Sequence, residues 1–83
     1  MIERFSVEVT YRPEANRGGL LTLLTALHRR GIEPLTVSLT DSVGGKRCFR
    51  AAFVATPDRA RIAAATLRDV VGVAEVDIAT DQQ

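Results

Sequence analysis

The stretch NRGGLLTLLTALHRRGIEPLTVSL, residues 16–39, decides how the chain folds. It opens with a polar loop that contains Gly18 and Gly19, continues into a leucine-rich segment, and is interrupted at Gly31. The leucines recur at intervals of three and four, the spacing that places side chains on one face of an α-helix. These leucines are Leu20, Leu23, Leu24 and Leu27. Beyond Gly31, apolar and hydroxyl residues alternate strictly, which predicts a strand with one buried face.

The same two patterns predict three more strands and one more helix. The predicted strands cover about 5–11, 34–41, 47–56 and 73–80, and the predicted helices about 18–30 and 57–71. Thr56 is placed to cap the second helix, with Pro57 in its first turn. The side chains expected to face the core from the second strand and second helix are Leu35, Val37, Leu39, Ile62, Ala63, Leu67, Val70 and Val71.

The element order is strand, helix, strand, strand, helix, strand. This order predicts an α+β, ferredoxin-like βαββαβ sandwich. Two right-handed crossovers would place both helices on one face of a four-stranded antiparallel sheet. Since residues 1–83 contain no linker, internal repeat or low-complexity segment, we expect a single domain.

Composition excludes several classes of function. The chain has 83 residues, of which 46% are hydrophobic and 25% charged, and its formal net charge is +1. Such a balanced charge gives no basis for a nucleic-acid partner. Its one cysteine excludes an internal disulfide and a cysteine-rich zinc site. No apolar run approaches the roughly 20 residues of a membrane helix. We therefore expect no nucleic acid, membrane or metal partner, and a cytoplasmic location.

Residues suited to catalysis are few. His28 is the only histidine and lies among arginines at a helix end, where a cation suits the helix dipole. Cys48 has no histidine or metal-ligand spacing near it in sequence. Glu75 and Asp77 share one face of a strand, where we expect them to be solvated and paired with Arg50. A small enzyme built on this scaffold remains an alternative of another class.

An RNA-binding module of the same topology is a further alternative. Such modules stack bases on exposed aromatic side chains of the central strands. Here Phe49 and Phe53 share a face with Ala51 and Ala55, which favours packing against helices instead.

The loop before the first helix is the best candidate for binding. Glycines at a helix entrance let backbone N–H groups point outward, and the positive end of the helix dipole favours an anion such as a carboxylate. Asn16 is placed to cap this helix. An ordinary turn, in which the glycines merely allow tight packing, is the alternative.

At these residues the chain resembles the ACT domain, a small module that senses amino acids in regulated amino-acid metabolism. The family pattern is a strand, an Asp or Asn shortly before a Gly, a leucine-rich helix and an Arg-Gly stop. The matching residues are Asn16, Gly18, Leu20, Leu24, Leu27, Arg30, Gly31 and Ile32. Residues 35–41 and 67–76 are similar to the regulatory small subunits of acetolactate (acetohydroxyacid) synthase, in their short single-ACT form.

This resemblance implies a non-catalytic regulatory subunit that acts in branched-chain amino acid biosynthesis. In that family the small subunit forms a homodimer, binds and activates the catalytic large subunit, and in many members confers inhibition by valine. Thiamine diphosphate, flavin and magnesium belong to the large subunit, so no cofactor is expected here. A free-standing amino-acid-binding ACT protein of another pathway is the first alternative.

Effectors of the family bind between the loop of one chain and the start of the second strand of the other. Carried over, this implies a site formed by Asn16, Arg17, Gly18, Gly19, Glu33 and Pro34. Two positions depart from the pattern. Glu33 stands where the family often has Asn, and would repel a carboxylate while pairing with an ammonium group. Pro34 lacks a backbone N–H. By strict spacing from Gly18, Ala15 is an alternative to Asn16 for the polar position of the loop.

Overall fold

A computed structural model of the chain describes residues 1–16 and 18–81, and its elements follow the predicted order. The elements are β1 (Glu3–Tyr11), α1 (Gly19–Arg29), β2 (Thr36–Asp41), β3 (Arg47–Ala55), α2 (Pro57–Arg68) and β4 (Val73–Thr80). Arg17, one of the expected site residues, lies outside the described residues.

The four strands form one antiparallel sheet in the order β2-β3-β1-β4. This order and the two helices are those of the ferredoxin-like βαββαβ fold, so the predicted fold class is confirmed. The central strands β1 and β3 pair along their whole length, from Glu3 opposite Ala55 to Tyr11 opposite Arg47.

The core lies between the sheet and the helices. Phe53 and Phe49 of β3 are fully buried, and the Phe53 ring stacks on that of Phe5 with the centroids 5.9 Å apart. From α1, Leu23 and Leu27 are buried against them. The alternation in β1 and β3 and the leucine spacing in α1 therefore predicted the correct inner faces.

Local signals fixed the helix ends. At the end of α1, Gly31 has φ +73°, its N–H donates to the His28 carbonyl at 2.9 Å, and the Ile32 N–H donates to the Leu27 carbonyl at 3.1 Å. This is a Schellman motif, which a glycine at that position favours. At the start of α2, the Thr56 Oγ1 accepts from the Arg59 N–H at 3.2 Å, as predicted.

The expected apolar stripe of α2 is partly wrong. Ile62 and Val71 are exposed, and α2 ends at Arg68 instead of residue 71. The buried residues are Ala60, Ala63, Ala64 and Leu67. These follow the helical spacing strictly, and because three of them are alanines, α2 presents a flat face to the sheet.

The expectation that β2 has one buried face is also wrong for the single chain. The exposed fraction is 54% for Leu35, 42% for Val37 and 38% for Leu39. β2 is an edge strand that pairs only with β3 among the described strands, and regular pairing starts at Thr36 instead of residue 34. Its aliphatic side chains therefore extend the inner face of the sheet beyond the helices.

Candidate functional site

The connection between β1 and α1 forms a tight structure at one end of the sheet. β1 ends at Tyr11, and the Arg12 N–H donates to the Gly72 carbonyl at 2.9 Å, which ties the connection to the turn before β4. A 3-10 turn, Pro13–Ala15, follows. The chain therefore leaves the sheet and returns over it within a few residues.

Asn16 holds the start of α1. Its Oδ1 accepts from the Gly19 N–H at 3.0 Å, and its backbone carbonyl accepts from the same N–H at 3.2 Å. The side chain is only 6% exposed, and it is the one buried polar residue among those described, apart from Tyr11. The N-cap residue of α1 is Gly18, so the capping position predicted for Asn16 is wrong by two residues, although its side chain holds the N–H of Gly19, where regular helix begins.

Gly18 and Gly19 allow close packing for different reasons. A Cβ at Gly18 would lie 1.6 Å from the Thr22 Oγ1, so the Thr22 side chain occupies that space. Gly19 has φ +50°, in the left-handed region that favours glycine. A Cβ there would lie 3.7 Å from the Tyr11 hydroxyl, so the first residue of α1 sits beside that hydroxyl.

Two buried polar atoms in this connection have no hydrogen-bond partner among residues 1–16 and 18–81. They are the Tyr11 hydroxyl and the Asn16 Nδ2. Tyr11 is 1% exposed. An unsatisfied buried polar group costs about 1–3 kcal/mol, and native structures contain few of them. The Tyr11 hydroxyl lies beside Gly19, and the Asn16 side chain bonds to the Gly19 N–H, so both unpartnered groups belong to residues that contact the start of α1.

Gly72 supports the connection from the other side. It has φ +89°, and a Cβ there would lie 3.1 Å from the Ala15 carbonyl carbon and 3.1 Å from the Asn16 Cβ. The backbone of the turn before β4 thus packs directly against the candidate loop. Gly72 directly follows the predicted second helix, and nothing in the sequence indicates that it contacts this loop.

The structure brings Asn16, Gly18 and Gly19 together but places Glu33 and Pro34 elsewhere in the same chain. Strand β3 lies between β1 and β2 and relates their positions. Ser6 and Thr36 lie opposite the same residue of β3, and so do Tyr11 and Asp41. Glu33 and Pro34 precede Thr36, so they lie at the end of the sheet where β1 starts. The five residue steps from Ser6 to Tyr11 span about 17 Å. One chain alone therefore does not assemble the expected site.

Tyr11 was missed as a site residue. It ends the first predicted strand, 5–11, and its side chain is buried in the core. Nothing in the sequence indicates that the hydroxyl is left without a partner, because that depends on the tertiary surroundings of Tyr11, which include the start of α1 at Gly19. A tyrosine at the end of an inner-facing strand pattern, directly before a glycine loop, was the only available signal.

The residues weighed for catalysis are not assembled into a site. His28, Glu75 and Asp77 are exposed, and Cys48 is buried on the outer face of β3. The expected pairing of Arg50 with Glu75 or Asp77 is wrong, because Arg50 pairs with Glu8 on the neighbouring strand at 2.8 Å.

Within the described part of the chain, no three metal-ligating side chains come together, and no helix is long and apolar enough to cross a bilayer.

The basic cluster at the end of α1 contributes to helix packing. The Arg59 guanidinium donates through Nη1 to the Arg30 carbonyl at 2.8 Å, and the Arg30 Nε donates to the Thr66 Oγ1 at 2.9 Å. These bonds join α1 to α2 and place positive charge at the negative end of the α1 dipole. The interpretation of this cluster as a helix terminus fits the geometry.

The fold and this site define the class of structure, a ferredoxin-like domain with a glycine loop at the first helix, and solved structures of the same fold are known. The C-terminal domain of the MgtC protein from Mycobacterium tuberculosis has a TM-score of 0.78 and 17% identity, with 96% of this chain and 88% of that one covered. The ACT domain from GTP pyrophosphokinase of Chlorobium tepidum has a TM-score of 0.78 and 16% identity, with 95% and 100% covered.

The regulatory subunit of aspartate kinase from Thermus thermophilus is also similar, with a TM-score of 0.70 and 17% identity. The match covers 95% of this chain and 53% of that subunit, so this chain corresponds to about half of it. No protein-family model matches the sequence, and no curated protein matches it significantly. At these identities the comparisons show a shared fold.

Proposed function

We propose that this chain is an ACT-type regulatory domain of amino-acid metabolism that acts by binding and has no catalytic role. The observation that carries the proposal is the β1–α1 connection, where a capped helix start, two glycines and two unpartnered buried polar atoms come together. The fold supports it, since solved structures with this fold include an ACT domain and a kinase regulatory subunit.

More specifically, we propose a non-catalytic small subunit of acetolactate synthase, which binds and activates the large subunit. The support is the similarity of residues 35–41 and 67–76 to that family. In the structure these residues form β2 and the passage from the end of α2 into β4. The large subunit would supply every cofactor of the reaction.

We further propose that the chain forms a homodimer through the β2 edge. Within Thr36–Asp41 the only charged residue is the last one, and the aliphatic side chains of Val37 and Leu39 are left partly exposed. An uncharged edge strand with exposed aliphatic neighbours readily pairs with another strand. The opposite edge, β4, carries Glu75 and Asp77, which disfavour such pairing.

This dimer would complete the effector site. Two copies related by a two-fold axis pair their β2 strands antiparallel, so the start of one β2 lies beside the end of the other. Glu33 of the partner subunit would then lie at the same end of the continuous sheet as Asn16. An amino acid could place its carboxylate toward the start of α1 and its ammonium group toward Glu33 of the partner subunit.

The dimer interface can be tested with Val37→Lys. A lysine in each β2 edge should prevent pairing, because it places a charge on the uncharged part of the strand that would pair. Analytical ultracentrifugation should give the mass of two chains for the wild-type protein. For Val37→Lys it should give the mass of one chain, 9.0 kDa. Val54→Lys is the matched control, since Val54 is 50% exposed but lies on β3 away from the edge. A Val37→Lys protein that remains dimeric would place the interface elsewhere.

The subunit assignment can be tested by purifying the tagged chain from extracts of its own cells and identifying the proteins that accompany it. We expect a thiamine-dependent large subunit to co-purify with the tagged chain at a fixed molar ratio. Adding an excess of untagged chain should displace the large subunit from the tagged chain. If a different enzyme of amino-acid metabolism accompanies the chain, the ACT-type role stands and the acetolactate synthase assignment is wrong. If the chain binds an amino acid but no enzyme, it is a free-standing sensor.

A further inference from the structure

We propose that a cavity between the end of α1 and the start of α2 binds a phosphate-bearing small molecule. This basic cavity has a volume of about 590 Å³, is open to solvent, and is lined by Arg29, Arg30, Arg59 and Ile62 among others. Its volume lies within the range of small-molecule sites. It lies at the opposite end of α1 from Asn16, so it is a second site, separate from the proposed effector site.

The positive charge of the basic cavity is not balanced by the described residues. Arg29, Arg30 and Arg59 line it, and none of the three forms an ion pair with a carboxylate of residues 1–16 or 18–81. The carboxylate on its wall, that of Asp58, is paired with Arg61. A cavity with three guanidinium groups and no free carboxylate on its wall attracts an anion.

Two of these guanidinium groups are held in position by neutral oxygens. The Arg59 Nη1 donates to the Arg30 carbonyl at 2.8 Å, and the Arg30 Nε donates to the Thr66 Oγ1 at 2.9 Å. Gly31 makes the first bond possible, because a Cβ there would lie 2.8 Å from the Arg59 Nη1. These bonds orient the two groups without cancelling their charge, and they leave the remaining N–H donors of each fork for a ligand.

This arrangement fits a phosphate group better than a carboxylate. Arginine binds both through pairs of parallel hydrogen bonds. A carboxylate has one charge and two oxygens, which a single guanidinium satisfies. A phosphate monoester carries about −1.5 to −2 charges at pH 7 and three acceptor oxygens, so it can engage several guanidinium groups at once. Ile62, which is half exposed, gives the cavity an apolar wall for the organic part of the ligand.

The test is titration of the full 83-residue chain with inorganic pyrophosphate, followed by two-dimensional NMR of the backbone amides. We expect saturating shifts at Gly31 and Arg59, which lie together in the basic cavity, and no shift at Gly19 at the other end of α1. Citrate, which carries three carboxylates, should bind about fivefold or more weakly than pyrophosphate, because its charges are spread over separate groups.

Arg29→Gln is the first variant. Arg29 lines the cavity and donates no hydrogen bond within the described structure, so its replacement should leave the fold unchanged. We expect pyrophosphate to bind about fivefold more weakly to this variant. Arg68→Gln is the matched control, since it removes the same charge from an exposed position of α2 that does not line the cavity. Its affinity for pyrophosphate should equal that of the wild type.

Arg59→Lys is the second variant, and it tests the fork instead of the charge. Lysine keeps the positive charge but cannot form two parallel hydrogen bonds to one phosphate group. We expect a loss of affinity of about fivefold here as well. If Arg59→Lys does not fold, because its bond to the Arg30 carbonyl is lost, Arg29→Gln decides the matter.

The inference would be overturned by the absence of saturating shifts at Gly31 and Arg59, or by citrate binding as tightly as pyrophosphate. Unchanged affinity in Arg29→Gln, or an equal loss in Arg68→Gln, would also overturn it, because the binding would then depend on no particular arginine. A hexaglutamate peptide that binds the cavity more tightly than pyrophosphate would make it a contact for an acidic protein segment instead. These outcomes leave the proposed regulatory function standing, since the titration uses neither an amino-acid effector nor a partner enzyme.

Discussion

Replacing Phe53 with alanine is expected to lower the free energy of unfolding by about 3–5 kcal/mol. Phe53 is fully buried at the centre of the sheet and stacks on Phe5, so its removal leaves a cavity that both layers of the domain line. A small domain has only about 5–15 kcal/mol of stability in total. The variant should therefore be partly or wholly unfolded at 37 °C, as measured by urea denaturation followed by circular dichroism.

The neighbouring residue provides the control for this effect. Val54 lies on the outer face of β3 and is half exposed, so Val54→Ala should cost less than about 1 kcal/mol. Comparable losses for the two variants would mean that the outer face of the sheet is buried against something, and that the single chain is not the folding unit.

Gly72→Ala is the second change with a large expected effect, at about 2–3 kcal/mol of unfolding free energy. At φ +89° an alanine is strained, and its Cβ would lie 3.1 Å from the backbone carbon of Ala15, which cannot move without shifting the loop. Because that loop contains Asn16, the variant should also bind effector more weakly. Denaturant unfolding and calorimetric titration measure the two effects.

Gly44→Ala is the control that separates the cost of backbone strain from the cost of the steric contact in Gly72→Ala. Gly44 also has a positive φ, of +73°, but a Cβ there would meet nothing within 4 Å. Its substitution should cost about 1 kcal/mol, from backbone strain alone, and leave effector affinity unchanged. If Gly44→Ala and Gly72→Ala behave alike, the contact between the turn and the loop contributes nothing.

Much of the fold could be predicted from the sequence because local patterns and tertiary burial agree. Phe49 and Phe53 alternate with residues of the other face, and the leucines of α1 follow the helical spacing, so periodicity alone gave the correct inner faces. Gly31 ends α1 and Thr56 begins α2 through bonds within a few residues. Such signals do not depend on the rest of the chain.

Periodicity failed where burial depends on the order of strands. Val37 and Leu39 alternate with polar residues as regularly as the buried residues of the other strands do. However, β2 is at the edge of the sheet, and neither α1 nor α2 buries them. In α2, large apolar residues such as Ile62 were predicted to face the core. In the structure, the residues that pack against the sheet are mostly alanines. An apolar pattern shows which side chains share a face, not whether another layer reaches it.

The candidate site was predictable only in its local part. Asn16, Gly18 and Gly19 are close in sequence, and the bond from the Gly19 N–H to the Asn16 side chain spans only three residues. Tyr11 and Gly72 contribute through tertiary contacts, Tyr11 with the start of α1 and Gly72 with Ala15 and Asn16, and Gly72 is far from the loop in sequence. The position of Glu33 relative to the loop depends, in the proposed dimer, on a second copy of the chain.

The most direct test of the proposed role is acetolactate formation by the purified large subunit, measured with increasing amounts of this chain. We predict that activity rises and saturates at a fixed subunit ratio, and that this chain alone forms no acetolactate. The effector identified by titration should then lower the activity of the complex. Unchanged activity at a large excess of this chain, with no complex in sedimentation, would contradict the account.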